Sequence, residues 1–217
     1  AKTYKEITLD DLQNIFEKTT IETPILPLST TYYNRENSDK WSIACTIPPQ
    51  IRKIRVVNRY EENGGFVITT KTPHVHFAFK IENKRIVKSF CCCTKYRPDP
   101  HGDTGVVETS LISEAERLKN NQSNMRTPTF LFPFGNTWED FRICWGNIVL
   151  PEINSPSDIP EVIEMFFNGA ANGDLFRVLP EVDFITFMRE LDGKTEFDYD
   201  VLYPHNRDFG DFIRCIQ

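Results

Sequence analysis

The 217-residue chain is long enough to bury a substantial core, and its 40% apolar and 26% charged residues are those of an ordinary globular protein. A formal net charge of −6 leaves no Lys/Arg surplus to release counterions from a phosphate backbone, which argues against a nucleic-acid partner. With no apolar run of about eighteen residues, and no signal-like apolar core after Ala1-Lys2-Thr3-Tyr4-Lys5, the expectation is a soluble, cytoplasmic protein without a membrane partner.

Thr8 reads as an N-cap, and Leu9, Leu12, Ile15 and Phe16 follow at helical spacing, so a short amphipathic helix is expected over 9–18. Pro24 and Pro27 then favour an extended crossing. From Trp41 to Lys95 the pattern turns to strands, over 41–45, 51–58, 65–72, 74–80 and 85–93. They are separated by Pro48-Pro49, Asn63-Gly64-Gly65 and Glu82-Asn83. An antiparallel meander is the economical arrangement. The basic cluster Arg52, Lys53, Arg55 and Arg59 reads as a solvated strand face. His74 and His76 alternate with Val75 and Phe77, so both should point to one side, read here as the wet face of the strand.

Six cysteines, at 45, 91, 92, 93, 144 and 215, do not make a disulfide framework, because adjacent cysteines on a strand point to opposite sides. They read as reduced thiols, with the 91–93 run packing as small hydrophobes beside Phe90. No Cys-x-x-Cys pair occurs, and no histidine stands at ligand spacing from a cysteine, so neither a metal nor a cofactor is expected. Residues 97–109 are a loop by composition, and a short helix follows over 110–121. Together they form a polar insert near 97–122. A last strand is expected over 129–132.

The stretch after that strand, Phe132-Pro133-Phe134-Gly135-Asn136-Thr137-Trp138-Glu139-Asp140-Phe141-Arg142-Ile143-Cys144-Trp145-Gly146-Asn147, carries the chemistry. One cysteine sits between apolar neighbours, eight residues after an asparagine, with a turn-prone segment between them. A thiolate is a nucleophile that needs no cofactor, and a fixed amide donor could steady an oxyanion beside it. Taken alone, Cys144 also reads as a buried core residue. Beyond it, Ser157 or Asp158 caps a helix whose face is Ile159, Val162, Ile163, Phe166 and Phe167, ending at Asn168-Gly169. Another helix is expected over 181–191, stopping at Asp192-Gly193. The Asp/Tyr/Phe-rich tail reads as ordered. Seventeen phenylalanines point to an aromatic core.

This central stretch resembles the active-site segment of ubiquitin-conjugating enzymes, in which an Asn in a turn precedes the catalytic Cys by the same eight residues. It is more closely similar to the prokaryotic conjugating-enzyme-like family D, the PRTRC system protein B type, with the pattern Pro-x-x-Asn-x-x-x-Asp-Gly-Arg-x-Cys-x-Gly. Pro133, Asn136, Asp140, Arg142, Cys144 and Gly146 fall on it, and Phe141 stands where that family usually has Gly. The helix around Phe166-Phe167 is a second point of likeness, and the resemblance covers 127–173.

The resemblance implies one α+β domain over 1–217, of the ubiquitin-conjugating-enzyme-like fold: an antiparallel β-meander flanked by an N-terminal helix and C-terminal helices. It implies a bacterial, cysteine-dependent acyl transferase that receives a ubiquitin-like modifier from an adenylating enzyme as a thioester and passes it to an amine, such as a target lysine. Cys144 and Asn136 are then the catalytic pair, with Trp145, Gly146, Asn147 and Asp140 as substrate-binding residues. Asp158 and Asp174 both lie downstream, where a carboxylate could assist the incoming amine, but neither is assigned as an acid–base residue. The rival expectation is a catalytically inactive binding module on the same fold, which Phe141 encourages. A third, a cysteine protease or amidase, needs a histidine to approach Cys144.

Overall fold

The computed structural model describes residues 24–58, 64–95 and 125–217, so the helix expected over 9–18 and the insert near 97–122 lie outside the described residues. The described chain is α+β. Eight strands run in chain order: β1 (Thr30–Arg35), β2 (Lys40–Ile47), β3 (Ile51–Val57), β4 (Gly65–Lys71), β5 (His74–Glu82), β6 (Arg85–Thr94), β7 (Pro128–Phe130) and β8 (Pro204–Asp208). Three helices follow β7: α1 (Ile159–Asn168), α2 (Phe184–Leu191) and, after β8, α3 (Phe209–Arg214).

Six strands form one sheet in the order β1-β2-β5-β6-β7-β8, every neighbouring pair antiparallel. The five expected strands between Trp41 and Lys95 all form, but they do not make a single meander. Pro48 and Pro49, which have no backbone N–H to give a ladder, end β2, and β3 and β4 leave the sheet as a separate two-stranded hairpin. Its inward positions Ile54, Val56 and Ile68 join the main core. The strand at 128–130 is not the last, because the tail returns as β8 and pairs with it. β1 and β8 escape sequence reading because their residues, Thr-Thr-Tyr-Tyr-Asn-Arg and Pro-His-Asn-Arg-Asp, carry little apolar alternation.

The central strands are buried on both faces, and side-chain alternation divides them between two cores. Ile43, Cys45, Val75, Phe77, Phe79, Cys91 and Cys93 enter the larger core with α1, α2 and the β3–β4 hairpin. Ala44, Ala78, Phe90 and Cys92 enter the second core, which α3 closes with Phe209, Phe212 and Ile213. His76 falls on this second side and is wholly buried, which corrects the expectation of a wet face. Its ring nitrogens bond the Thr46 and Thr94 hydroxyls at 2.9 and 2.8 Å, satisfying both polar atoms in an otherwise apolar setting.

α1 buries Ile159, Val162, Ile163, Phe166 and Phe167, as its spacing requires. Phe166 and Phe167 meet Phe77 edge-on at 5.3 and 5.5 Å. The Asp158 carboxylate accepts from the Asn154 and Ser155 backbone N–H groups at 2.7 and 3.0 Å, fixing the approach to this helix. α2 begins three residues later than expected and stops at Asp192-Gly193. Of the described phenylalanines, all but Phe66 and Phe130 are buried, in keeping with an aromatic core. Arg52, in the basic cluster, makes a two-point pair with Glu164 of α1 and covers the Phe167 ring at 3.8 Å. That contact holds the Glu164 carboxyl below its ordinary range. Among the described residues, no helix is long and apolar enough to cross a membrane.

Candidate active site

Past β7 the chain turns sharply at Gly135 and Asn136, both with positive φ, at +78° and +61°. Gly135 is required there, since a Cβ would lie 2.4 Å from the Asn172 carbonyl oxygen. Asn tolerates the left-handed region better than most residues, and the Asn136 Nδ2 donates to the Ala170 carbonyl at 3.0 Å. The turn is thereby tied to the segment after α1.

A hairpin follows, and its register explains the eight-residue spacing. Cys144 N–H donates to the Asn136 carbonyl at 2.8 Å, Thr137 opposes Ile143, and Trp138 N–H donates to the Arg142 carbonyl at 2.9 Å. Asn136 and Cys144 are therefore facing partners at the root of the hairpin. The tip is closed by Phe141 N–H to the Trp138 carbonyl at 2.9 Å, with Phe141 at φ +74°. This is a three-residue loop whose last position is left-handed, a place where Gly is usual. Asp140 steadies the tip: its carboxylate accepts from the Arg142 backbone N–H at 3.2 Å and from Arg142 Nε at 2.6 Å. The hairpin lies along β6, with Cys91 N–H bonded to the Phe141 carbonyl and Ile143 N–H to the Ser89 carbonyl.

Beyond Cys144, Trp145 is anchored by its Nε1–H to Ser89 Oγ at 2.9 Å and meets Phe166 edge-on. A second turn through Gly146, φ +56°, is closed by Ile148 N–H to the Trp145 carbonyl. These elements enclose a cavity of about 340 Å³ lined by Asn136, Cys144, Trp145, Gly146 and Asn147, with Phe166, Gly169, Ala170 and Asn172 behind them. It shares Ala170 and Asn172 with a neighbouring cavity of about 1020 Å³ that Asp174 lines. Five of the six residues expected at the site thus line one cavity. Asp140 does not; it holds Arg142 at the far end of the hairpin. The Asp158 carboxylate is taken up by the Asn154 and Ser155 backbone N–H groups ahead of α1, while Asp174 stands in the adjoining cavity.

The cysteines differ sharply in setting. Cys45, Cys91, Cys92 and Cys93 are buried, and burial raises each thiol, the last three well above the ordinary value. Cys215 is half-buried, also raised by burial, and its Sγ contacts the Asp211 carbonyl. Cys144 is half-buried and opens into the cavity. No histidine is among the cavity's described lining: His76 is enclosed by two threonines, and His205 Nε2 bonds the Glu139 carbonyl. Among the described residues no group of three or more His, Cys, Asp or Glu could hold a metal ion.

Sequence reading missed Ser89 and the Ala170 and Asn172 backbone, which complete the site. Their contribution is made through a hydroxyl and main-chain atoms that any residue list hides. Comparison of the chain with protein-family models, with curated proteins and with solved structures finds no match.

Proposed function

We propose that the chain is a carrier in ubiquitin-like-protein conjugation, accepting an activated modifier on Cys144 as a thioester and passing it to an amine. The observation that carries this reading is the pairing of Cys144 with Asn136 at a hairpin root, facing a cavity, in a chain whose resemblance to family D covers that segment. A thiol with no histidine in its described surroundings suits exchange with an already activated acyl group better than amide hydrolysis. The cavity is at the small end of ligand sites, a size suited to the narrow end of an extended chain.

In the first step the Cys144 thiolate attacks the carbonyl carbon of the modifier's thioester on the activating enzyme. The new C–S bond forms, the old one breaks, and the activating enzyme's thiolate leaves, taking a proton from solvent in place of the one Cys144 gave up. In the second step a neutral amine, such as that of a target lysine, attacks the same carbon. The C–N bond forms, the bond to Cys144 Sγ breaks, Cys144 leaves as thiolate, and the surplus amine proton passes to solvent. The Asn136 amide carries two hydrogens; one holds the Ala170 carbonyl, which makes its first duty the shape of the turn. Trp145, Gly146 and Asn147 flank the thioester. The inactive-module reading drew on Phe141 in place of Gly, yet Phe141 adopts the positive φ that Gly would, and the hairpin keeps its hydrogen bonds.

The test is an adduct assay. The chain is mixed with ATP, an adenylating enzyme and a ubiquitin-like protein already shown to react with each other, and resolved on gels with and without thiol. A thiol-sensitive adduct that is lost in Cys144→Ala and becomes thiol-resistant in Cys144→Ser supports the carrier. Absence of any adduct supports the binding module.

A further inference from the structure

Phe141 is the feature of the hairpin that turn geometry alone does not explain. Gly would hold φ +74° without strain, yet the chain places a large ring there and buries it completely. The ring enters the second core, on the side of the sheet that α3 covers, and not the cavity that Cys144 faces. It lies 4.1 Å from the His205 ring and meets Phe212 edge-on at 5.6 Å. The Arg207 guanidinium stands 5.9 Å from it. His205 grips the same tip a second time, its Nε2 donating to the Glu139 carbonyl at 2.6 Å. The C-terminal segment β8–α3 thus clamps the hairpin tip by side chain and by main chain, while Asn136 and Ala170 hold its root.

We infer that Phe141 is a positioning residue for Cys144, and that β8–α3, acting through His205 and Phe212, sets where the nucleophile sits. The hairpin is short and its cross-strand bonds run from tip to root, so a displaced tip shifts the Cys144 N–H off the Asn136 carbonyl. A ring buys what Gly cannot supply: a fixed depth of insertion. The inference rests on the acyl-carrier reading only for its consequence in transfer, since the placement of the thiol can be read without any partner.

The experiment compares the full chain with Phe141→Gly, Phe141→Leu, Phe212→Ala and the Phe141→Gly/Phe212→Ala double variant. Iodoacetamide labelling of Cys144 is followed by peptide mass, with Cys91, Cys92 and Cys93 in the same digests as reporters of global opening. The expected result is a several-fold change in the Cys144 rate for Phe141→Gly and for Phe212→Ala, no labelling at 91–93, recovery toward wild type in Phe141→Leu, and a double variant no worse than the larger single. In the adduct assay the same variants lower kcat about tenfold with KM for the charged activating enzyme unchanged. A wild-type Cys144 labelling rate in the folded variants overturns the inference, as does labelling that rises equally at 91–93 and at 144. Should Phe141→Gly fail to fold, Phe212→Ala and His205→Ala decide by the same criteria. Altered labelling with no adduct in any chain, wild type included, keeps the positioning role and removes the carrier reading.

Discussion

Cys144 and Asn136 face each other across a hairpin root, joined by a 2.8 Å bond from the Cys144 N–H to the Asn136 carbonyl, while the Asn136 side chain donates to the Ala170 carbonyl. The asparagine therefore links the strand that carries Cys144 to the segment after α1. Asn136→Gly keeps the left-handed backbone and removes only the amide tie. Its expected effect is a loss of about 1 kcal/mol in urea unfolding together with slower charging of Cys144. Unchanged charging at reduced stability would confine Asn136 to the fold.

Two glycines in the site separate close approach from backbone strain. Gly135→Ala drives a Cβ to 2.4 Å from the Asn172 carbonyl oxygen and should destabilise the chain by more than about 2 kcal/mol. Gly146→Ala has nothing within 4 Å and meets only the left-handed penalty of about 1 kcal/mol. Thermal melts of the two variants check the order; a Gly146→Ala chain that is the less stable would contradict the tight contact at Asn172.

The buried His76 makes stability depend on pH. Burial first, and the neighbouring His74 second, lower its pKa to about 3, so it stays neutral in the fold but takes up a proton in the unfolded chain below about 6.5. A depressed histidine contributes fully above the unfolded value, and its contribution is lost as pH falls from there toward about 3. The expected loss in that window is at most about 1.4 kcal/mol per pH unit. His76→Gln, which retains a hydrogen-bonding side chain, should flatten the slope of stability against pH between about 6 and 4; an identical slope would show that other groups set it.

Thiol labelling should follow burial. Cys144 reacts first with iodoacetamide, Cys215 more slowly because burial raises its pKa, and Cys45 and Cys91–Cys93 only on unfolding. Peptide mapping over time gives the order directly. Early labelling at 91–93 would contradict the two-sided burial of β6.

Much of this was legible in the residues. Turn-forming residues located five strands, the spacing of Ile159, Val162, Ile163, Phe166 and Phe167 gave α1, and the run Cys91-Cys92-Cys93 beside Phe90 read as the buried part of a strand. The site's local part, from Asn136 to Asn147, was also readable because a hairpin is made by residues close in sequence. What remained hidden depends on long-range pairing. β8 is polar and short, and only its bonding to β7 makes it a strand. His76 alternates with Val75 and Phe77 as a half-exposed strand would, and the sequence alone could not reveal that α3 covers the other face. Phe141 looked like a departure from a Gly turn, and the pocket that buries its ring exists only when Phe212 and His205, more than sixty residues later, are brought against it.

The most direct test of the central claim is intact-mass measurement of the chain after incubation with ATP, an adenylating enzyme and a ubiquitin-like protein, each shown active with the other. The account predicts a mass gain of one modifier less one water, mapped to Cys144 and removed by hydroxylamine. A chain of unchanged mass, or a modifier found on any other residue with Cys144 free, would contradict it.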